Sequence, residues 1–228
     1  KTYFNPKRRF LRIIQHNLVY LSFWAAIMTL FRIFGGFALL ATLVGCSQSV
    51  DDYKQMTPEF KLSSFFSGTS SAYGVMHNWQ GQQQLHFSAE LCGQWQQNRG
   101  DLYEIFQFSD GRIDKRHWQL QVETDGSVSG IAEDVVGKAT GKTAGNTLFW
   151  EYTLRIPSDG DYIDVKVEDW LYLVTPTQLV NRSTLHKFGL TVGELTLGIN
   201  QLDATSDCAE FIQKYQNTTR TVPLAANN

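Results

Sequence analysis

From Ala72 to about residue 200 the chain is cut into short segments by turn chemistry that recurs every eight to twelve residues. The breaks are Gly81, Asn98-Arg99-Gly100-Asp101, Ser109-Asp110-Gly111, Thr124-Asp125-Gly126, Ala144-Gly145-Asn146, Ser158-Asp159-Gly160 and Thr175-Pro176-Thr177. Asp-Gly pairs accept the positive φ of tight hairpins, and breaks this frequent leave no room for helices. Between them apolar and polar residues alternate. That alternation marks candidate strands at 72–79, 84–95, 101–108, 112–123, 127–137, 147–157, 161–174, 179–188 and 191–199.

Consecutive antiparallel strands joined by short hairpins form a meander, and a meander of eight or nine strands removes its exposed edges most simply by closing on itself. The expected fold is therefore all-β, an up-and-down, lipocalin- or calycin-like barrel over residues 59–202, with a flattened β-sandwich as the alternative. Two short helical pieces flank it. Glu59 to Phe66 offers Phe60, Leu62, Phe65 and Phe66 to plug one end, and Asp207 to Tyr215 places Cys208, Phe211, Ile212 and Tyr215 on one face at helical spacing. Residues 203–228 then read as a C-terminal helix followed by a frayed tail from Asn217. With 228 residues and 43% hydrophobic content the chain can bury a core without a metal or a dense set of disulfides.

Period-two bookkeeping puts charges on the apolar side of several strands. The segment 147–157 is the clearest, with Leu148, Trp150, Tyr152, Leu154 and Ile156 on one face. By the same rule Glu104 falls with Leu102, Phe106 and Phe108, and Arg116 with Trp118, Leu120 and Val122. Asp134 falls with Val128, Ala132 and Val136, Asp169 with Val165, Val167, Leu171 and Leu173, and Arg182 with Val180, Thr184 and Phe188. Charges inside a low-dielectric interior must be paired or hydrated. Two expectations follow. Arg116 and Arg182 pair with Asp134 and Asp169 as a structural network, or Trp118, Trp150 and Tyr152 wall a ligand cavity whose polar head group these four charges hold.

The N-terminal part has a different character. Six of the 20 basic residues and none of the 22 acidic ones lie in residues 1–45, which leaves the rest of the chain acidic. Ile33 to Val44 is an apolar run behind Arg32 that ends in Leu43-Val44-Gly45-Cys46, the pattern of a lipobox, in which a small residue precedes a Cys to be acylated. Residues 1–45 are read as a signal segment, with Met28 as the expected true start, since Met28 to Arg32 supplies a basic n-region before the apolar run. The rival reading takes Leu18 to Val44 as one transmembrane anchor, which would hold Arg32 mid-span at a cost of about 2.5–3.5 kcal/mol. An acylated Cys46 gives a membrane anchor, and residues 46–58 a tether between lipid and domain. Ser47, where Asp would retain a lipoprotein in the inner membrane, points to the outer membrane and its periplasmic face, with the inner membrane as the alternative.

Several motifs fail on spacing. Gly137-Lys138-Ala139-Thr140-Gly141-Lys142-Thr143 has three residues between its glycines where a phosphate loop needs four, and a strand follows where a helix should begin. The pair Ser127 and Ser129 does not match a nucleophile elbow. His77, His86, His117 and His186 are scattered without paired spacing, so no metal, cofactor or catalytic residue is assigned. An acidic domain lacking a basic stripe speaks against nucleic acid. With Cys46 acylated, Cys92 and Cys208 remain. In an oxidising compartment they either form one disulfide or stay as two buried thiols.

Several blocks in order over residues 53–198 resemble a bacterial lipoprotein family known as domain of unknown function 3833. They are Phe108-Ser-Asp-Gly111, Arg116-His-Trp118, Gly130-Ile-Ala-Glu-Asp-Val-Val-Gly137, Gly145-Asn-Thr-Leu-Phe-Trp-Glu-Tyr152, Asp169-Trp-Leu-Tyr-Leu173, Val180-Asn-Arg182, and Lys187-Phe-Gly189 with Gly193-Glu194. The resemblance implies a Gram-negative lipoprotein with a lipocalin-like domain and no assigned activity. Its members tend to be encoded near enzymes that modify membrane fatty acyl chains, an association that points toward lipid handling. The expected function is binding or carriage of a hydrophobic ligand, a lipid or fatty acyl chain. The alternatives are a lipid-modifying enzyme using Asp134 or Asp169 as base beside Arg116, and a passive envelope protein with a filled core. Oligomeric state is not readable from the chain.

Overall fold

The computed structural model describes residues 48–158 and 161–222. The signal segment with Met28, the lipobox and Cys46, the turn at 159–160 and residues 223–228 lie outside the described residues. The barrel belongs to one compact unit, Ser49–Asn228. Among the described residues no helix is long and apolar enough to cross a membrane.

Ten antiparallel strands close into a barrel: β1 (Gly68–Asn78), β2 (Gln83–Gln96), β3 (Arg99–Phe108), β4 (Ile113–Val122), β5 (Ser127–Ile131), β6 (Val135–Ala144), β7 (Thr147–Ser158), β8 (Asp161–Thr175), β9 (Gln178–Lys187) and β10 (Leu190–Asp203). Each strand pairs with its sequence neighbours, and β1 pairs with β10 from Thr69↔Asp203 to Asn78↔Gly193, so no edge is left. The barrel is therefore the fold, and the sandwich alternative is excluded. The tenth strand comes from the segment expected as one strand at 127–137. A tight turn at Ala132 to Asp134 ends β5 early, and the failed phosphate-loop stretch from Gly137 forms most of β6. No turn signal of the Asp-Gly kind announces that break. The hydrogen bond from Val135 N–H to the Ala132 carbonyl, 3.2 Å, closes it instead.

Alternation then fills the interior. On β7 and β8 the inward residues Leu148, Trp150, Val165, Val167, Asp169 and Leu173 are all buried. Trp150 requires two glycines beside it. A Cβ on Gly141 would lie 2.8 Å from the Trp150 ring and one on Gly130 3.2 Å from it, so only glycine lets this indole lie flat on β5 and β6.

One end of the barrel is plugged. The expected helix over Glu59–Phe66 shrinks to a single turn, α1 (Leu62–Phe65), because Lys61 just before it is extended and Phe60 donates its N–H to the Gly145 carbonyl at 2.7 Å. The plug itself is as anticipated: Phe60, Leu62, Phe65 and Phe66 are at most 5% exposed. The Gln201 amide on β10 fastens it by donating to the Ser64 and Phe65 carbonyls at 2.9 and 2.8 Å.

The second helix, α2 (Ala209–Asn217), lies on the outer face of β2–β4. Its Phe211, Ile212 and Tyr215 pack with Tyr103, Ile105 and Ile113 in a satellite core. Cys208, just before α2, is disulfide-bonded to Cys92 on β2.

Two segments are more ordered than expected. From Ser49 on, the tether contains a 3-10 turn, Val50–Tyr53, whose Tyr53 ring packs against Trp170 and Tyr172 at 6.0 and 5.7 Å. In the supposed frayed tail, the Thr221 N–H donates to the Ile113 carbonyl and the Thr221 hydroxyl accepts from Ile113 N–H at 2.8 Å. Arg220 meets Asp114 at 2.7 Å, both largely buried, in an ion contact not aligned as a hydrogen bond. Both segments satisfy polar strand ends and add apolar contact, which is sufficient to order a short peptide.

Candidate functional site

The barrel interior holds two adjoining compartments, one toward the plugged end and one toward the other. The inner one, about 140 Å³, lies next to α1 and is walled by Leu102, Trp118, Leu120, Val128, Leu148 and Trp150 among others. The outer one, about 300 Å³, lies toward the hairpin tips and is walled by Phe108, Leu154, Ile156, Leu185 and the C-terminal Arg220 and Val222. Six residues belong to both: Phe87, Phe106, Arg116, Tyr152, Ser183 and Leu195.

A polar layer lies at this junction, and strand register builds it. Glu104 on β3 is directly opposite Arg116 on β4, and Asp169 on β8 is opposite Ser183 on β9. Asp134 reaches the same layer from the β5–β6 turn. Its inward placement agrees with expectation, but through the turn and not through strand alternation, since Val136 faces outward at 36% exposure.

The Arg116–Asp134 contact is bidentate. Arg116 Nε donates to both carboxylate oxygens at 2.9 and 3.0 Å, and Nη2 donates to Oδ2 at 2.7 Å. The guanidinium also lies 5.7 Å from the Phe106 and Trp118 ring centres, within cation–π range. Its second carboxylate, Glu104, is 3.9 Å away, an ion contact too long for a hydrogen bond. Burial opposes the Arg116 charge, but Asp134, then Tyr152 and Glu104, hold it fully on.

The carboxyls left over are strained electrostatically. Burial pushes Glu104 up to about 7, with Arg116 pulling it back and Asp134 and Asp169 raising it further. Burial likewise raises Asp169, against the hydrogen-bonding influence of Ser183, Asn181 and Tyr152. Tyr152 is raised well above the ordinary phenol range by burial and by Asp169. Trp118 acts as a hydrogen-bonding neighbour of Glu104, but two individual oxygens in the layer have no aligned protein donor: Glu104 Oε2 and Asp169 Oδ1. Trp118 completes the wall, meeting Trp150 edge-on at 5.7 Å and Tyr152 edge-on at 5.5 Å.

Of the residues singled out from the sequence, Arg116, Asp134, Asp169, Trp118, Trp150 and Tyr152 therefore converge, and Arg182 does not. Arg182 is on the outer surface, 66% exposed and 3.5 Å from Glu194, with Val180 and Phe188 exposed beside it. The phase of β9 is the reverse of the expected one. Its inward set is Leu179, Asn181, Ser183 and Leu185, in which two polar residues face inward to meet Asp169, while Val180 and Arg182 face solvent. The expected pairing of two arginines with two aspartates is thus replaced by one arginine among three carboxyls. Asn181 and Ser183 were missed, and the signal available was an alternation of apolar and small polar residues bounded by two leucines. Among the described residues no group of His, Cys, Asp and Glu could hold a metal ion.

Comparison with known proteins gives one family and several distant folds. The family described as "Protein of unknown function (DUF3833)" matches residues 40–201. No curated protein matches. Among solved structures, the S-type phycobiliprotein lyase from Guillardia theta is 10% identical with a TM-score of 0.47, covering 69% of this chain and 99% of its own. A redesigned β-barrel bound to DFHBI is 20% identical with a TM-score of 0.34, covering 60% of this chain and 99% of its own.

Proposed function

Because the chain belongs to the family of unknown function DUF3833, the reading has to rest on the barrel itself, and we propose that this protein binds a small, largely apolar ligand inside its barrel without covalent chemistry. The observation that carries it is a cavity kept open through the middle of the core. A barrel that served only as a spacer could fill its interior with side chains, as close packing favours. Here apolar and aromatic walls surround a short layer of polar groups, the general composition of a ligand pocket. A filled-core envelope protein fits these compartments poorly.

The finer parts of the proposal come from the N-terminal sequence. Acylation at Cys46 would anchor the barrel to the outer membrane on its periplasmic side, within reach of lipids and acyl chains. Intact mass of the membrane-extracted protein tests this part, and an unmodified Cys46 would remove it. The ligand itself is tested by mass spectrometry of organic extracts from the gently purified full chain beside an unrelated β-barrel. A stoichiometric species absent from the control is expected, and its absence from repeated preparations would count against binding.

A second reading, an envelope enzyme, is favoured by one observation, the Glu104 carboxyl poised at about 7 in a cavity wall. Asp134 is unsuited to the base role considered from the sequence, since Arg116 engages both of its oxygens. Turnover of a bound lipid that vanishes in Glu104→Gln would move the assignment from carrier to enzyme.

A further inference from the structure

The polar layer is unbalanced. Three carboxyls, Glu104, Asp134 and Asp169, face a single guanidinium, and that guanidinium is already engaged by Asp134 through a bidentate contact. An incoming carboxylate or phosphate would therefore meet a cation already neutralised and, above about pH 7 where Glu104 is ionised, further carboxylate charge of its own sign. The hydrogen-bonding count points the same way. Glu104 Oε2 and Asp169 Oδ1 are both buried, both belong to residues that wall the inner compartment, and neither oxygen has an aligned protein donor, although Trp118 neighbours the first carboxyl and Ser183, Asn181 and Tyr152 the second. Asp169 as a whole is only 9% exposed. Buried acceptors are nearly always paired, so two orphans on one cavity mark where a donor from outside the chain belongs.

We propose that the polar layer receives the hydrogen-bond-donating head of the ligand, an ammonium or a hydroxyl, through Glu104 and Asp169, and that it turns away a carboxylate head. The inference rests on the binding reading above and specifies its ligand. It also reverses the simplest expectation for an arginine inside an apolar barrel, a clamp on a fatty acid. Arg116 is a positioning residue here. Its work is to hold Asp134 and fix the layer, leaving Glu104 and Asp169 to face the ligand. The inner compartment sets the scale of the group beside the head, because a dry cavity of about 150 Å³ takes a single benzene ring.

The test uses the full chain and four probes that share one ring: benzylamine, benzyl alcohol, benzoate and toluene, titrated by ligand-detected NMR. Benzylamine or benzyl alcohol is expected to bind at least tenfold more tightly than benzoate. The tighter of the two identifies the head as ammonium or hydroxyl. Asp169→Asn is expected to remove most of the advantage over benzoate, with its circular dichroism spectrum reporting that the variant is folded. Glu104→Gln repeats the comparison should Asp169→Asn fail to fold. Benzoate binding as tightly as both donor probes, with toluene also bound, would overturn the inference and leave the binding reading standing. Failure of all four probes would overturn the binding reading and this inference with it.

Discussion

Glu104 makes the stability of the barrel depend on pH in a direction unusual for a carboxylate. Most acids that lose solvent on folding gain a partner and are stabilised as ions, but Glu104 is held at about 7 against an ordinary value of 4.5 by burial, with Asp134 and Asp169 nearby. The unfolded chain releases this proton near 4.5 while the folded chain keeps it until about 7, so across that window the folded state binds more protons and stability falls as pH rises. A shift of that size corresponds to on the order of 3 kcal/mol, fully present as a penalty above pH 7 and absent below about 4.5. Glu104→Gln removes the titrating group at nearly constant shape. Urea unfolding of both proteins at half-unit intervals from pH 4.5 to 8 measures the difference. The wild-type free energy is expected to decline relative to the variant by about 2–4 kcal/mol over this range, with Arg116, Asp134, Asp169 and Tyr152 as the groups facing Glu104 in both. Two curves that run parallel within 0.5 kcal/mol, on the order of the usual scatter for a surface change, would refute the reasoning.

Three further outcomes follow from the same structure. Arg116→Met strands Asp134 in the interior and is expected to cost about 3–5 kcal/mol in urea unfolding, with most of it recovered in Arg116→Met/Asp134→Leu; an equal loss in the double variant would contradict the pair. Cys92→Ser/Cys208→Ser opens a link across a sequence separation of 116 and is expected to lower stability by about 2–4 kcal/mol and to speed proteolysis of α2 before the barrel, read by limited digestion. Arg182→Ala is expected to change stability by less than about 1 kcal/mol and to leave ligand binding intact; a large loss in either would put Arg182 back inside.

Much of the barrel could be read from the chain because its turns use strong local chemistry and its strands alternate cleanly. Where the alternation is unambiguous, as on β7 and β8, the inward residues were identified correctly. The failures share a cause. The β5–β6 break relies on a backbone hydrogen bond in Ala132–Asp134 with no glycine or proline to announce it, so two strands were merged and the phase beyond Ile131 was lost. On β9 Asn181 and Ser183 point inward to face Asp169, so neither face of the strand is uniformly apolar and its alternation does not decide which face is inside. The ordered segments at Val50–Tyr53 and 218–222 were missed for another reason, since they are held by contacts from residues far away in sequence, Trp170, Tyr172 and Ile113.

The plug at α1 has a kinetic corollary. With the ten strands closed into a barrel and Phe60, Leu62, Phe65 and Phe66 filling one end, the described residues leave the inner compartment open only through the outer one, where Arg220 and Val222 stand. A ligand bound as proposed would leave by the route it entered, and no second molecule could push it out from behind. Exchange then proceeds strictly in sequence, so adding competitor cannot accelerate release. Residence time becomes a property of the doorway and occupancy a property of the polar layer, two quantities that selection could adjust separately.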